Sequence, residues 1–301
     1  MVSKFSEKVQ RDQDNFSLRK YLKLKLDCNQ KEVQNIIESG VVFIDKRKET
    51  FGSKKVRSGQ IVHFSISTQH HKTIHRHKVD PKSIKILWEN DDLLAVNKLP
   101  GIPSQRTKDP KRFSMEHWAK DHYQGSLYLT HRLDRDTSGV LLFAKTKAME
   151  KECFDWFKHR KVQKVYHAIS YGKSKHFKSE TWIHHLKAAP PRGGRSCFKA
   201  VHSGGLRAET EVKLLSTNKD HCFWELKPHT GRTHQLRVQL SEQHFPIVGD
   251  DLYDRQHRNR PPAPHHLLHA RELHLPSWKN ETKSISAEYP ETWNPYLKDL
   301  S

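Results

Sequence analysis

The amino-acid sequence predicts an α+β protein, in which a small N-terminal module of helices and strands precedes a larger domain. The larger domain is predicted to hold a mixed, largely antiparallel sheet with helices packed against it, because after residue 84 short strands follow one another closely and outnumber helices. The length of 301 residues suggests two domains of about 150 residues each. A content of 34% hydrophobic residues suffices for their cores.

The N-terminal module is predicted to run helix, helix, strand, turn and strand. Residues 16–26 (FSLRKYLKLKL) carry apolar side chains at helical spacing, and a second helical segment follows over 30–39. Residues 41–45 (VVFID) indicate a strand, and a turn leads into a last strand over 60–66. We therefore predict a compact module, of α/β composition, over residues 1–67.

A polar segment separates this module from the rest of the chain. Residues 68–78 (TQHHKTIHRHK) hold almost no apolar side chain, so we predict a linker over 68–83 and a larger domain over 84–301. The four histidines of this segment lack companion cysteines or carboxylates at a metal-binding spacing. A flexible basic linker is therefore favoured over a metal site.

The larger domain is predicted to open with a hairpin, because residues 85–89 (KILWE) and 93–98 (LLAVNK) flank a turn-forming Asn-Asp-Asp. Residues 114–123 and 147–159 show helical spacing, and the apolar run 141–145 (LLFAK) indicates a buried strand between them. Four further strands are predicted from the segments VYHAIS, ETEVKLLS, CFWELK and LLHARELHL.

The composition limits the partners and the cellular compartment. Lys and Arg outnumber Asp and Glu by 54 to 34, and this net charge of +20 suits a nucleic acid, an anionic membrane surface or a generally basic proteome. No apolar run reaches the roughly 18 residues of a membrane span, and residues 1–10 lack the apolar core of a signal peptide. The four cysteines form no C-x-x-C pair and fit a reducing cytosol. We predict a cytoplasmic protein without membrane contact.

Polar side chains crowd at residues 131–139 (HRLDRDTSG), directly before the predicted buried strand. The chain contains none of the motifs of nucleotide phosphate loops, dinucleotide sites, zinc proteases or serine hydrolases. Asp134 lies close in sequence to His131, Arg132 and Arg135, any of which would stabilise its ionised form. A carboxylate kept anionic in a cleft acts as a nucleophile or base, whereas a surface Asp-Arg pair is only a solvated ion pair. The residues alone leave both interpretations open.

The whole pattern H-R-L-D-x-x-T-S-G-x-L-x-x-A-K over residues 131–145 resembles the catalytic motif of RluA-type pseudouridine synthases. The similarity continues in family order to about Trp293, through K-x-Y-x-A from Lys164, G-R-T-H-Q-L-R from Gly231 and P-I-V-G-D from Pro246. The resemblance implies a pseudouridine synthase fold for the larger domain. It also implies that uridines of structured RNA are isomerised to pseudouridine.

The resemblance assigns five residues to the site. Asp134 takes the position of the catalytic aspartate, which is either nucleophile or base, and Arg237 that of its basic partner. Tyr166 would offer a face for stacking the uracil and a phenol near its C5, and Leu236 would pack against the base. Arg132 would enter the RNA stack in place of the flipped base. None of these steps needs a cofactor or a metal, so we predict neither.

The N-terminal module resembles the S4 RNA-binding module, through LRKYL, EVQNIIESGVVFID and VRSGQIVHF. The usual Ser-Arg, Asn-Gly and Gly-Asp of that module are replaced here by Asn-Gln, Asp-Lys and Gly-Gln. Basic residues crowd into one short segment and would bind RNA phosphates. These residues are Lys46, Arg47, Lys48, Lys54, Lys55 and Arg57.

Two stretches depart from the family pattern. Leu99 stands where the family usually has the proline of Lys-Pro-x-Gly, so the sequence does not decide whether the family's turn forms here. Residues 187–205 are rich in Gly, Pro and Arg and give no alignment, so they are either a loop that touches RNA or a surface insertion.

Competing functions come from other classes. A nuclease or glycoside hydrolase would use Asp134 and Asp136 as a carboxylate pair, but residues two apart point to opposite faces of an extended segment. A non-catalytic RNA-binding assembly factor would be expected to have lost the aspartate, the tyrosine or the arginine. For the enzyme, large-subunit ribosomal RNA is the favoured substrate and transfer RNA the alternative. We take a monomer as the default oligomeric state.

Overall fold

The computed structural model describes residues 2–26, 33–34, 36–37, 42–67, 81–107, 112–174, 177–192, 194–256, 260, 263–279 and 281–300. The chain divides into two compact units, residues 1–78 and 79–301. Within the described segments, no helix is both long and apolar enough to cross a membrane. Residues 68–80 of the predicted linker lie outside the described residues.

In the first unit, helix α1 (Leu18–Leu26) packs against a four-stranded antiparallel sheet. The strands are β1 (Val2–Lys8), β2 (Val42–Ile44), β3 (Arg47–Lys48) and β4 (Ile61–Ser67), in the spatial order β1-β4-β2-β3. The helix α1 and the strands β2 and β4 match the predicted segments, whereas β1 is an addition. Most of the predicted second helix lies outside the described residues. The residues of this segment that are described, 33–34 and 36–37, are helical.

The second unit is built on one large sheet with helices against it. Its strands are β5 (Ile86–Glu89), β6 (Leu93–Lys98), β7 (Tyr128–Leu129), β8 (Ser138–Ala144), β9 (Gln163–Tyr171), β10 (Ser179–Arg192), β11 (Arg195–Val201), β12 (Leu206–Thr217), β13 (His221–Pro228), β14 (Leu268–Trp278) and β15 (Glu281–Ser286). Its helices are α2 (Met115–His122), α3 (Lys147–Lys158), α4 (Gln235–Glu242) and α5 (Asn294–Leu297).

The sheet is mixed and mostly antiparallel, as predicted. The strand order is β11-β10-β12-β13-β9-β14-β8-β6-β5, with β15 on β14 and β7 on β8. Among the described strands, β8 and β14 form the only parallel pair. The α+β class and the helices packed against the sheet are therefore confirmed.

The burial of strand β8 shows why helices cover both faces of the sheet at this position. All seven of its residues are buried, as expected for a strand covered on both sides. Leu141 and Phe143 share a core with Trp118 of α2. Val140 and Leu142 share another core with Trp156 of α3. The loop that enters β8 is thereby attached to a strand that is buried on both faces.

Gly139 allows β8 to pair with β14. Its φ is +112°, and a Cβ built there would lie 2.2 Å from the carbonyl oxygen of Ala270. That distance is far shorter than any van der Waals contact, so a larger residue would push the two strands apart. The glycine of the T-S-G motif is thus a packing requirement that seats the loop before it.

Residues 187–205, which the sequence left without an assignment, belong to a hairpin of long strands. β10 pairs with β11 on one side and with β12 on the other, both antiparallel. Only Trp182 and Leu186 of the fourteen residues in β10 are buried. Backbone pairing organises this segment, so it is not an irregular loop, and its contact with RNA stays a prediction.

Candidate active site

A groove of about 1460 Å³ crosses the second unit. Its lining includes eight Lys and Arg side chains but four Asp and Glu side chains. This excess of positive charge attracts a polyanion. The five residues that the resemblance assigns to the site all line it: Arg132, Asp134, Tyr166, Leu236 and Arg237.

Asp134 lies in the loop that enters β8, and this loop is held on both sides of the aspartate. The Ser104 hydroxyl donates to the carbonyl of Leu133 at 2.8 Å and accepts from the N–H of Leu133 at 3.0 Å. The N–H of Gly101 donates to the carbonyl of Arg135 at 2.9 Å. The backbone of Asp134 is therefore anchored by the segment 99–104, while its side chain stays 28% exposed in the groove.

The side chain of Lys98 binds both this anchoring segment and the loop that carries Asp134. It is fully buried, and its Nζ donates to the carbonyls of Leu99 at 3.1 Å, Ile102 at 2.8 Å and Arg135 at 2.9 Å. The three N–H donors of an ammonium match three carbonyl acceptors. The turn therefore forms with Leu99 in place of the family's proline, and Gly101 supplies its positive φ of 88°.

We expect Lys98→Met to lower the free energy of unfolding by about 2–3 kcal/mol, because it leaves three carbonyls without their donor. Turnover should fall about tenfold, since the Asp134 loop loosens. Thermal unfolding and steady-state turnover measure the two effects. The control is Lys85→Met, which removes an exposed ion pair and should change the free energy of unfolding by less than about 0.5 kcal/mol. Equal stability of the two variants would contradict this role of Lys98.

A buried guanidinium connects two carboxylates at the floor of the groove. Arg237 donates from Nε to Asp250 Oδ2 at 2.7 Å and from Nη2 to Asp250 Oδ1 at 2.9 Å. Its Nη1 donates to Asp134 Oδ2 at 3.1 Å. The bidentate pair with Asp250 fixes the plane of the guanidinium, and the remaining amino group is thereby aimed at Asp134.

Charge balance keeps Arg237 and Asp250 ionised. Burial opposes the charge on Arg237, but the carboxylates of Asp250 and Asp134 outweigh it and raise the pKa of Arg237. Burial also disfavours a charged Asp250, yet the guanidinium holds the pKa of Asp250 below its usual range. The backbone N–H groups of Leu252 and Tyr253 donate to the same carboxylate. Asp250 is a fixed anion that anchors Arg237.

The cations next to Asp134 in sequence bind other groups. The guanidinium of Arg135 donates from Nε to Asp136 Oδ1 at 2.7 Å, and Nη1 of Arg132 donates to Gln105 Oε1 at 3.1 Å. Burial lowers the pKa of His131 to about 3, so this imidazole is neutral. Among the basic residues considered from the sequence, it is therefore Arg237, the partner that the resemblance assigned, that pairs with Asp134, 103 residues further along the chain.

A buried polar network orients α4, the helix that carries Leu236 and Arg237. Gln239 accepts from the hydroxyl of Thr210 at 2.6 Å, and the amide of Gln235 donates to the same hydroxyl at 2.9 Å. Thr230 donates to Gln235 Oε1 at 2.7 Å. These bonds join the helix to β12, so α4 has no freedom to turn Arg237 away from Asp134.

Tyr166 and Leu236 line the groove together with Asp134 and Arg237. Tyr166 lies on β9 between β13 and β14, where it pairs with Leu226 and Ala270. Burial and the charge of Asp134 raise the pKa of its phenol, which is protonated at neutral pH. Leu236 is 7% exposed and packs in the core behind the groove.

Asp136 takes no part in a carboxylate pair with Asp134. Burial opposes its ionisation, but the guanidinium of Arg135 outweighs burial and holds the pKa of Asp136 well below its usual range. Among the described residues, no three His, Cys, Asp or Glu side chains converge as metal ligands. The geometry therefore gives no support to a two-carboxylate hydrolase.

Two histidines of the site had no role assigned from the sequence. His234 places Nε2 3.7 Å from Asp134 Oδ2, and His266 bonds through Nε2 to the Thr137 hydroxyl at 2.8 Å. Burial lowers the pKa of His266 to about 4, so it is neutral. The G-R-T-H-Q-L-R motif contained His234, but only folding shows that it faces the aspartate.

In the first unit, the basic residues singled out from the sequence are all exposed. Asp45 and Lys46 both have positive φ, 45° and 70°, and form the two-residue turn between β2 and β3. Among the described residues, none of the six basic side chains is paired with a carboxylate. They are Lys46, Arg47, Lys48, Lys54, Lys55 and Arg57.

A partly exposed carboxylate held by a buried guanidinium in a basic groove defines an enzyme that acts on an anionic polymer. Residues 92–242 match the family model of RNA pseudouridylate synthase, and the chain belongs to this family, in its RluA-type branch. The protein is therefore an RNA pseudouridine synthase, an isomerase whose substrate is RNA. The enzyme class predicted from the sequence is confirmed.

Similar proteins include enzymes named for ribosomal RNA and for transfer RNA. The chain is 31% identical to the ribosomal large subunit pseudouridine synthase D of Borreliella burgdorferi, over 72% of this chain and 68% of the relative. It is also 31% identical to the tRNA pseudouridine synthase C of Vibrio parahaemolyticus, over 71% of this chain and 93% of the relative. The solved human RNA pseudouridylate synthase domain containing 1 is similar at 27% identity and a TM-score of 0.59, covering 70% of this chain and 85% of that one.

Proposed function

We propose that this enzyme converts specific uridines of large-subunit ribosomal RNA into pseudouridine, with Asp134 as the catalytic residue. The observation that carries the proposal is the ion pair between Asp134 and the buried Arg237, 3.1 Å long, at the floor of a basic groove. A carboxylate so held keeps a fixed orientation, as a nucleophile or base must.

The chemistry follows from this geometry. Arg237 bonds to Oδ2 of Asp134, and among the described residues nothing bonds to Oδ1. Oδ1 therefore approaches the ribose, where it either attacks C1′ or removes a proton from C2′ as the N-glycosidic bond breaks. The free uracil then turns, and its C5 bonds to C1′ as the bond from Asp134 to C1′ breaks or, in the second route, as Asp134 returns the proton to C2′. No atom is gained or lost overall, so a single carboxylate suffices for the ribose steps.

Tyr166 and Leu236 would bind the base during this turn. The phenol ring offers a stacking face, and Leu236 an apolar contact. Because burial raises the pKa of Tyr166, its phenol donates a hydrogen bond at neutral pH. The proton that finally leaves C5 is balanced by the proton that N1 of the uracil gains. Arg132, exposed at the edge of the same groove, would fill the space that the flipped nucleotide leaves.

Residues 1–67 would serve as an S4-like RNA grip, joined through a linker over 68–83 to a catalytic domain over 84–301. Six exposed cations without carboxylate partners among the described residues support this role, because unpaired surface charge remains available to phosphates. Cations already neutralised by acidic neighbours would bind RNA less well.

Deleting residues 1–67 should make the dependence of log affinity on log salt shallower by about 0.7–0.9 for each phosphate that the enzyme no longer neutralises. Neutralising Lys46, Arg47, Lys48, Lys54 and Lys55 should reproduce much of this change without unfolding the unit. Filter binding at several salt concentrations measures the slope. The matched control neutralises Lys219 and Lys298, exposed on the second unit, and should leave the slope nearly unchanged. An unchanged slope in the truncated enzyme would contradict the RNA grip.

Pseudouridine mapping in total RNA from cells with and without this protein tests the function. Loss of signal at large-subunit ribosomal positions is expected, since an S4-like module joined to this catalytic type resembles synthases that act on that RNA. Loss confined to transfer RNA would replace the proposed substrate and keep the chemistry. Loss at no position would favour a non-catalytic RNA-binding assembly factor.

The purified enzyme should also turn over in excess EDTA without added nucleotide or redox cofactor. The proposed steps use only a carboxylate, a guanidinium and proton transfers, so nothing in them calls for a metal. Turnover of a synthetic RNA carrying the mapped uridine measures this. Activity that EDTA removes and Mg²⁺ restores would contradict the proposed mechanism, provided that the RNA itself stays folded.

A further inference from the structure

His234 is held rigidly against the proposed catalytic aspartate. It precedes α4 in the left-handed conformation, with φ at 57°, which non-glycine residues adopt mainly where the surroundings impose it. The edges of two aromatic rings enclose it, with centroids at 5.7 Å for Phe198 and 5.5 Å for Tyr253. Its Nε2 lies 3.7 Å from Asp134 Oδ2.

Hydrogen bonding to Tyr253 determines which ring nitrogen of His234 carries the proton. The N–H of Phe198 donates to the Tyr253 hydroxyl oxygen at 3.0 Å, so this oxygen already accepts one bond. Its own proton then goes to His234 Nδ1, which lies 2.7 Å away. The nearby thiol of Cys197 is a much weaker acceptor than an imidazole nitrogen. Nδ1 thus accepts, and the proton of a neutral His234 lies on Nε2, facing Asp134.

We infer that neutral His234 is a positioning residue for the isomerisation and that Tyr253 sets its tautomer. The Nε2–H of His234 and the Nη1–H of Arg237 converge on the same oxygen, Oδ2 of Asp134, and so direct Oδ1 to the ribose. The 3.7 Å separation exceeds a hydrogen bond, but such contacts are often long before substrate binds and shorten in the complex. The inference rests on the proposed role of Asp134.

The electrostatic surroundings agree with a neutral imidazole. Burial lowers the pKa of His234, and the negative charge of Asp134 opposes this only in part. A protonated His234 would share its charge with Asp134 and weaken it as a nucleophile or base. The charged groups that face the ring are Asp134, Arg237, Asp250 and Arg195.

Two amide substitutions separate positioning from packing. The amide nitrogen of His234→Gln reaches the place of Nε2, whereas that of His234→Asn reaches only the place of Nδ1. On a synthetic RNA that carries the mapped uridine, we expect His234→Asn to lower kcat about 100-fold with an unchanged KM. His234→Gln should recover most of this loss. A structural role alone would give both amides the same defect.

Tyr253→Phe tests the tautomer. Without the hydroxyl proton, Nδ1 is free to bind a proton, so the pKa of His234 rises and the acid limb of the kcat profile moves to higher pH. In the double variant His234→Gln/Tyr253→Phe this shift should vanish, because no imidazole remains. Nitrogen NMR of the full chain should show the Nε2–H tautomer in the wild type and a mixture in Tyr253→Phe.

Three results would overturn the inference: equal defects in the Gln and Asn variants, an unmoved acid limb in Tyr253→Phe, or an Nδ1–H tautomer in the wild type. Failure of the proposed function has a different signature, which is a wild-type enzyme that modifies no RNA or an Asp134→Asn variant that retains turnover. The NMR measurement needs no activity and decides the tautomer in either case.

Phe154 is a second, independent feature of the groove. Eight large hydrophobic side chains are strongly exposed among the described residues, and of these only Phe154 lines the groove. It is 61% exposed and lies on α3 one turn before Lys158. Its neighbour Phe157 contacts the ring of His131 at 4.8 Å, which places this wall beside the motif that carries Asp134.

The structure assigns Phe154 as a stacking platform for an unpaired base next to the target nucleotide. An exposed aromatic ring stacks on any base, and the exposed cations Lys158 and Arg160 line the same wall where they meet phosphates. Charge complementarity therefore selects single-stranded RNA as the occupant over a protein segment. This assignment rests on the proposed function only in the identity of the RNA.

The test combines Phe154 variants with an abasic scan of the synthetic RNA. Phe154→Leu should raise KM about tenfold with kcat unchanged, and Phe154→Trp should restore KM. Removing one flanking base should cost the wild type about tenfold and Phe154→Leu nothing further. The control Ile86→Ala, exposed but outside the groove, should leave KM unchanged. The assignment would be overturned if Phe154→Leu lost as much as the wild type at every abasic position, or if no abasic position cost the wild type more than it cost the variant. If no RNA is modified, weaker binding of single-stranded rA12 by Phe154→Leu than by Phe154→Trp decides it.

Discussion

Replacing Asp134 with asparagine is expected to lower kcat by at least about a thousandfold while RNA affinity stays within about threefold of wild type. The amide has nearly the same shape and still accepts a bond from Arg237. It is neither a nucleophile nor a base, so the loss falls on the chemical step. Pseudouridine formation under single-turnover conditions and filter binding of the same RNA measure the two quantities.

The matched control is Asp136→Asn, two residues away. Its carboxylate pairs with Arg135, so its loss should affect stability and leave turnover of the folded enzyme within about tenfold. A two-carboxylate hydrolase would lose its activity in both variants, Asp134→Asn and Asp136→Asn. Retained turnover in Asp134→Asn would remove Asp134 from the proposed mechanism, whatever the control shows.

The parts of the fold that the sequence predicts are those with a strong local pattern. β8 is apolar at nearly every position, and α3 places Met149, Cys153 and Trp156 on one buried face at helical spacing. Each pattern shows which side chains are buried, so the sequence indicates a strand or a helix even when the element that covers it is unknown. The strands that pair with β8 cannot be predicted in this way, because they come from distant segments of the chain.

The missed strands have weak patterns for a physical reason. β10 buries only two side chains of fourteen and is held by ladders to β11 and β12. β1 pairs with β4, whose residues lie about sixty positions later in the chain. Backbone N–H and C=O groups join both strands to their partners, and such pairing leaves little trace in the side-chain sequence.

The site shows the same division between local motif and long-range geometry. The motif around Asp134 was recognisable because its residues are contiguous. The functions of Asp250 and His234 were not, since they depend on how α4 and the loop after it turn back on Asp134. Sequence neighbours suggested Arg132 and Arg135 as partners, but their side chains bond to Gln105 and Asp136. Proximity along the chain was a poor guide to charge pairing in this loop.

Asp250→Asn is expected to combine a stability loss of about 3 kcal/mol or more with a kcat lowered about 100-fold. The substitution leaves the buried Arg237 with one charged acceptor where it had two, and frees its plane to rotate away from Asp134. Because the pKa of Asp250 is lowered in the fold, its contribution is present above the carboxyl's unfolded pKa and is lost as pH falls toward the folded value. The variant should therefore lose less stability on acidification than the wild type.

Thermal unfolding between neutral and acidic pH and turnover of the mapped RNA measure these effects. The adjacent control is Asp251→Asn, whose exposed pair with Arg195 should be worth less than about 1 kcal/mol. In the Asp134→Asn background, Asp250→Asn should still lower stability but have no further effect on activity, because its influence on chemistry passes through Arg237 to Asp134. Wild-type kcat in a folded Asp250→Asn enzyme would show that Asp134 needs no anchored guanidinium.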